Sequence, residues 1–202
     1  VDGAGPGYNQ DGTGAVMENM QLAYKDNLKF GDVIVVYNPQ SLLHKLIGLI
    51  TKEQKFKAGH VAMSYYDNIV EAGSRGVDVK QYKDYSPKHH IYVVRPMQDI
   101  TMYQRLPMEE YISDKMGEEY SFFQLPVIAL KYILHLKRTI DVSRKAVICS
   151  ELIAGCYEKA GIAVSTKEPS DTAPVDFLIS SNFRLVFMHK PGLVTKFYGI
   201  KD

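Results

Sequence analysis

Two apolar runs, HVAMSYY (60–66) and IVEA (69–72), stand almost end to end with only Asp67 and Asn68 between them, and this closeness constrains the fold most. Both have strand composition, and so short a connection joins neighbouring strands only in the antiparallel sense. GDVIVVY (31–37) adds a turn dipeptide followed by a β-branched run, the pattern of a buried strand, and IYVVR (91–95), halted by Pro96, adds another. Two later runs, 184–188 and 194–198, read as strands as well.

Helical patterns lie between these runs without a strict strand–helix–strand rhythm. Residues 41–51 (SLLHKLIGLIT) form a short amphipathic helix with Ser41 as its cap. Residues 15–28, 101–116 (Pro107 marking a start or kink) and 122–137 are expected to be helical, with a short turn or helix at 175–179. SELIAGCYEKAGI (150–162) has helical apolar spacing and ends on Gly161, a natural C-cap. The fold class is therefore α+β, a mostly antiparallel sheet packed with helices. With 202 residues, the chain is expected to be a flexible glycine-rich tail at 1–14 and a single domain over 15–202.

Charge and composition narrow the function classes. Lys plus Arg number 24 against 23 acidic residues, and this balance argues against nucleic acid as a main partner. No segment reads as membrane-spanning: the longest apolar stretch, 122–136, is interrupted by Gln124, Pro126, Lys131 and His135. A chain opening on Val1 is expected to have lost a signal, a tag or the rest of a longer protein. Of the two cysteines, Cys149 and Cys156 would lie about 10 Å apart on one helix, too far for a disulfide.

Cys149 follows the strand-like triplet Ala146-Val147-Ile148 and stands where a helix begins. Unpaired backbone N–H groups and the helix dipole favour negative charge there, so such a site lowers a thiol pKa and can hold an oxyanion. Cys156, two turns on, reads as core. A nucleophile needs a base, and among six histidines His60 stands out, opening a buried strand after Gly59. His44 reads as surface or core filler, and His89 and His90 as a solvent-facing pair. Glu71, on the next strand, is the carboxylate able to orient the His60 ring. A two-residue turn at Asp67-Asn68 would set Glu71 opposite Ser64, about 13 Å along the strand from His60. A four-residue loop, 64–67, would pair His60 with Glu71 directly, so the relay requires the longer loop or a bulge.

The pieces GDVIVV, SLLHKLIGLIT, GHVAM, VEA, GEEY and CSELIAGCYEKAGI occur in that order. Together they resemble the circularly permuted branch of the NlpC/P60 cysteine peptidases, the YiiX/YebB-like group, over roughly residues 30–187. The resemblance implies a papain-like fold with its halves exchanged, the histidine early and the cysteine late. It assigns Cys149 as nucleophile, His60 as base and Glu71 as orienting residue. Gly117 and Tyr120 resemble its Gly-x-x-Tyr element, and Tyr120 and Ser150 are assigned to substrate or oxyanion binding. Ser121 stands where relatives often carry aspartate. The chemistry implied needs no metal and no organic cofactor.

Three functions are consistent with this reading. The first is hydrolysis of an amide in a peptide substrate, cell-wall peptidoglycan being the family's usual one, through a thioester. The second keeps the nucleophile but acts on lipid or acyl esters, as hydrolase or acyltransferase, with lipid contact through 122–138. The third is a catalytically silent binding or structural module of an envelope or phage assembly. An extracytoplasmic, envelope-associated or virion-associated setting is expected over a cytoplasmic one.

Overall fold

A computed structural model describes residues 26–50, 56–81, 88–120, 146–191 and 196–198. The expected tail at 1–14 and the apolar segment at 122–138 fall outside these residues. So does most of the helix expected at 15–28, whose described end is turn and coil.

The strands are β1 (Val33–Tyr37), β2 (His60–Tyr65), β3 (Asn68–Gly73), β4 (Gly76–Gln81), β5 (His90–Pro96), β8 (Phe183–His189) and the two-residue β9 (Lys196–Phe197). They form one sheet in the order β4-β3-β2-β1-β5-β8-β9, and every neighbouring pair is antiparallel. β1 is buried along its whole length, which is why its sequence is an uninterrupted apolar run rather than an alternating one. A short parallel pair, β6 (Glu119–Tyr120) with β7 (Ala146–Val147), lies beside the main sheet. It is tied to β4 where Val77 N–H donates to the Glu118 carbonyl and Gly117 N–H to the Val77 carbonyl.

Among the described residues four α-helices accompany the strands: α1 (Leu42–Ile50), α2 (Met102–Lys115), α3 (Cys149–Lys159) and the single turn α4 (Asp176–Ile179). Ser41 caps α1 as expected, its Oγ accepting the His44 N–H at 3.3 Å. Thr101 and Gln104 close a reciprocal capping box on α2, and Pro107 is accommodated inside that helix. Ala160 is the C-cap of α3. Beyond it Gly161, at φ +72, lets its own N–H reach the Glu158 carbonyl and that of Ile162 reach the Tyr157 carbonyl.

The larger core lies between the sheet and α2 and α3. It includes Val33, Val35, Val61, Met63, Val70 and Tyr92 from the strands, with Leu152, Ile153, Cys156 and Tyr157 from α3. Each fully buried large side chain contributes roughly 1.5–3 kcal/mol, so α3 is held by its packing along most of its length. The opposite sheet face carries a smaller cluster around Ile34, Val36, Ala62, Ile69, Ile91 and Val93. At the far end of β1, Asp32 is fully buried and takes a two-pronged contact from Arg95 at 2.7 Å on each oxygen.

The hairpin between β2 and β3 departs from both connections weighed on the sequence. Pairing runs Met63↔Val70, Ser64↔Ile69, Tyr65↔Asn68, so the turn is Tyr66-Asp67, one residue earlier than Asp67-Asn68. Tyr66 takes φ +55, a region costly for a side chain with a Cβ. Its ring is flanked by Phe30 at 5.4 Å and the Arg105 guanidinium at 5.6 Å, and its hydroxyl is bound to Glu109. Tertiary contacts set this turn, not the Asp67-Asn68 pair. β4 is an addition, since no strand was expected over Gly76–Gln81.

Candidate active site

Carried one pair beyond Met63↔Val70, the hairpin register would set Glu71 against Ala62, a diagonal step from His60. A diagonal neighbour is within reach of long side chains. The relay therefore needs neither the four-residue loop nor a bulge: His60 Nε2 and Glu71 Oε2 lie 2.9 Å apart.

The β2–β3 ladder stops at Met63↔Val70, whereas β2 stays paired with β1 back to His60. Ser64 N–H donates to the carbonyl of Asp32, the residue just before β1, so by strand alternation the N–H of Val61 points to the β3 side, where the ladder has ended. The Cys149 sulfur accepts it instead. A second backbone donor, the N–H of Ser150, reaches the same sulfur from the first turn of α3. Ile148, the N-cap of α3, makes no side-chain cap bond, so nothing on that residue competes for the helix's leading N–H groups.

The imidazole of His60 is hydrogen-bonded to Cys149 as well as to Glu71. With Nε2 on Glu71, Nδ1 is the nitrogen left for the sulfur. Burial by itself would push the His60 pKa down, but the Cys149 sulfur and the Glu71 carboxylate outweigh it and lift the pKa to about 10. Burial likewise pushes the Cys149 thiol up, yet His60 and the two backbone donors bring it below its usual value. Burial raises Glu71 too, and His60 and Lys80 together hold it down at about 2. The combination favours thiolate, imidazolium and carboxylate in a row.

The structure thus brings Cys149, His60 and Glu71 into one hydrogen-bonded chain. Ser150 lies beside them with its hydroxyl buried and, among the described residues, without a hydrogen-bond partner, so it meets the sulfur through its backbone. Tyr120 is placed at the backbone level: in β6 it pairs with Val147, two residues before Cys149. Cys156 is completely buried and its thiol is pushed up by burial, which suits the core role expected of it. His89 and His90 are half-buried rather than solvent-facing. His44 is half-buried too. Its Nδ1 accepts the Asn38 N–H at 2.8 Å, and burial pushes its pKa down to about 4, so it is a neutral packing residue.

Lys80 was not anticipated. Its Nζ lies 2.5 Å from Glu71 Oε1, and both side chains are sheltered, 16% and 15% exposed. The available signal was the alternation Val77, Val79 in GVDVKQ, which marks a strand and puts Lys80 on its other face.

The antiparallel sheet with its packed helices makes this an α+β protein, and its fold is YiiX-like. The metalloprotein YiiX from Escherichia coli O157:H7 is a solved structure similar to it, with a TM-score of 0.55 and 14% identity over 84% of this chain and 98% of that one. At this identity the likeness is one of fold. No protein-family model and no curated protein matches the sequence. Among the described residues no group of three or more His, Cys, Asp or Glu side chains is arranged to hold a metal ion. In the candidate site, Glu71 has both oxygens engaged and His60 both ring nitrogens. Engaged in this way within the chain, these donors do not fit a metal.

Proposed function

We propose that this chain is a thiol hydrolase of the permuted papain-like, NlpC/P60 type that cleaves an amide, with cell-wall peptide as the substrate class. The observation that carries the reading is the hydrogen-bonded succession Cys149–His60–Glu71 at the start of a buried helix. In this scheme the Cys149 thiolate attacks the substrate carbonyl carbon, forming a C–S bond and a tetrahedral oxyanion. Leading backbone N–H groups of α3 stabilise that charge. Collapse breaks the C–N bond, and the proton on His60 passes to the leaving amine. The neutral ring then takes a proton from water as the hydroxide adds to the thioester. Breakage of the C–S bond releases the acid and restores the thiolate beside imidazolium. Glu71 stays ionised throughout and fixes the ring, and Tyr120 and Ser150 are assigned to the substrate side.

Purified peptidoglycan fragments and phospholipid vesicles, offered in parallel to the parent chain and to Cys149→Ala and His60→Ala, test the proposal. Release of a new amine and acid from the peptide by the parent alone, with a trapped thioester on Cys149, is expected. Fatty-acid release without peptide cleavage would replace amide by acyl-ester chemistry. Failure of the parent on both, together with an unreactive Cys149, would leave a binding module.

A further inference from the structure

We propose that Lys80 is a positioning residue for the Cys149–His60–Glu71 site, the cation that fixes the carboxylate so that the carboxylate can fix the ring. This rests on the thiol-hydrolase reading above. Glu71 divides its two oxygens: Oε2 lies 2.9 Å from His60 Nε2 and Oε1 lies 2.5 Å from Lys80 Nζ. Rotation of the carboxylate about its own axis would break both contacts, so the lysine locks the plane in which the ring is held.

The placement is unusual for an outer strand. β4 is the last strand on its side of the sheet, where lysines ordinarily project into water. Lys80 instead folds inward until only 16% of its side chain is exposed. It stands opposite Ile69 in the β3–β4 register, one diagonal step from Glu71, as Glu71 is from His60. Side chains from three successive strands therefore meet in a line.

Once the thiol proton resides on His60, that line alternates in sign: lysine cation, carboxylate, imidazolium, thiolate. Without the lysine, carboxylate, imidazolium and thiolate would together carry one net negative charge, beside the further carboxylate of Asp78, which stands directly opposite Glu71 in the β3–β4 register. Burial already pushes Glu71 towards protonation, and removing a countercharge strengthens that push. A protonated Glu71 would donate to Nε2 instead of accepting from it, and imidazolium could then no longer be held there. Lys80 thus keeps Glu71 an acceptor and, through it, keeps Cys149 ionised.

The pH dependence of Cys149 alkylation by iodoacetamide, in the full chain, tests this without a substrate. Cys156 is buried with a raised thiol pKa, and Cys149→Ser supplies the blank. The parent is expected to react with an acid limb well below the ~8.5 of a free thiol. Lys80→Met and Lys80→Gln should move that limb up by about one pH unit, and Lys80→Arg should return most of the shift. Should Lys80→Met not fold, Lys80→Gln, which keeps a donor but not the charge, decides the matter. Folded Lys80→Gln with the parent's profile, or with a limb moved to lower pH, would overturn the role of Lys80 and leave the hydrolase reading standing. A parent whose thiol titrates like a free one would overturn both.

Discussion

Gly59 has no room for a side chain: a Cβ built on it would lie 2.3 Å from the Cγ of His44. The His44 ring cannot readily yield, because Asn38 N–H holds its Nδ1. Gly59→Ala is therefore expected to push the chain just before His60 and to destabilise by roughly 1–3 kcal/mol, as overpacking does. Urea denaturation gives the stability, and the alkylation rate of Cys149 reports whether His60 has moved. Cys149 and His60 carried local signals, one at a strand–helix junction and the other opening a buried strand, and the ordered family resemblance joined them into a pair. Lys80 could not. Its partner Glu71 is nine positions away on another strand, and only the β3–β4 register brings the two charges together.

At the scale of elements, α3 both carries the cysteine and fills the core, and the two roles are separable. Leu152 is fully buried on α3 three residues beyond Cys149. Leu152→Ala should cost about 2–5 kcal/mol in chemical denaturation, while the surviving folded molecules keep a low-pH acid limb for thiol alkylation. Loss of that limb at full foldedness would mean that the helix start is held less firmly than its packing implies. Thr101→Ala, which removes half of an exposed capping box on α2, should cost only about 1 kcal/mol and leave the thiol unaffected.

β1, α1 and α3 were legible in the sequence because their signals are local: a β-branched run, a capping serine, a helical apolar stripe closed by glycine. The hairpin register was not. Tyr66 adopts its left-handed backbone through contacts with Phe30, Arg105 and Glu109, residues far away in sequence, so the turn falls one position early. β4 escaped notice because its apolar positions are few and its other face is charged. The order of the pieces pointed to the YiiX-like fold, and the fold similarity agrees.

For the whole molecule, the depressed Glu71 pKa makes stability depend on pH. With its pKa near 2 when folded and an ordinary value of 4.5, the folded chain binds fewer protons than the unfolded one between those limits. The stabilisation is fully present above about pH 5 and disappears as the pH falls through 2, a loss of about 3 kcal/mol. Glu71→Gln should flatten this acid limb when denaturation midpoints are followed from pH 6 down to 3. At the other end of β1, Asp32→Ala would strand the Arg95 cation in a largely buried position. It is expected to destabilise by roughly 3–5 kcal/mol at neutral pH, again read by denaturation.

The central claim is that Cys149 is ionised near neutrality because His60 takes its proton. Thiolate absorbance in the far ultraviolet, titrated from pH 4 to 10 in the parent, Cys149→Ser and His60→Ala, reads this directly. One thiolate should already be present in the parent at pH 6, absent in Cys149→Ser and deferred to alkaline pH in His60→Ala. A parent that absorbs only above pH 8.5, or a folded His60→Ala protein with the parent's titration, would contradict the account.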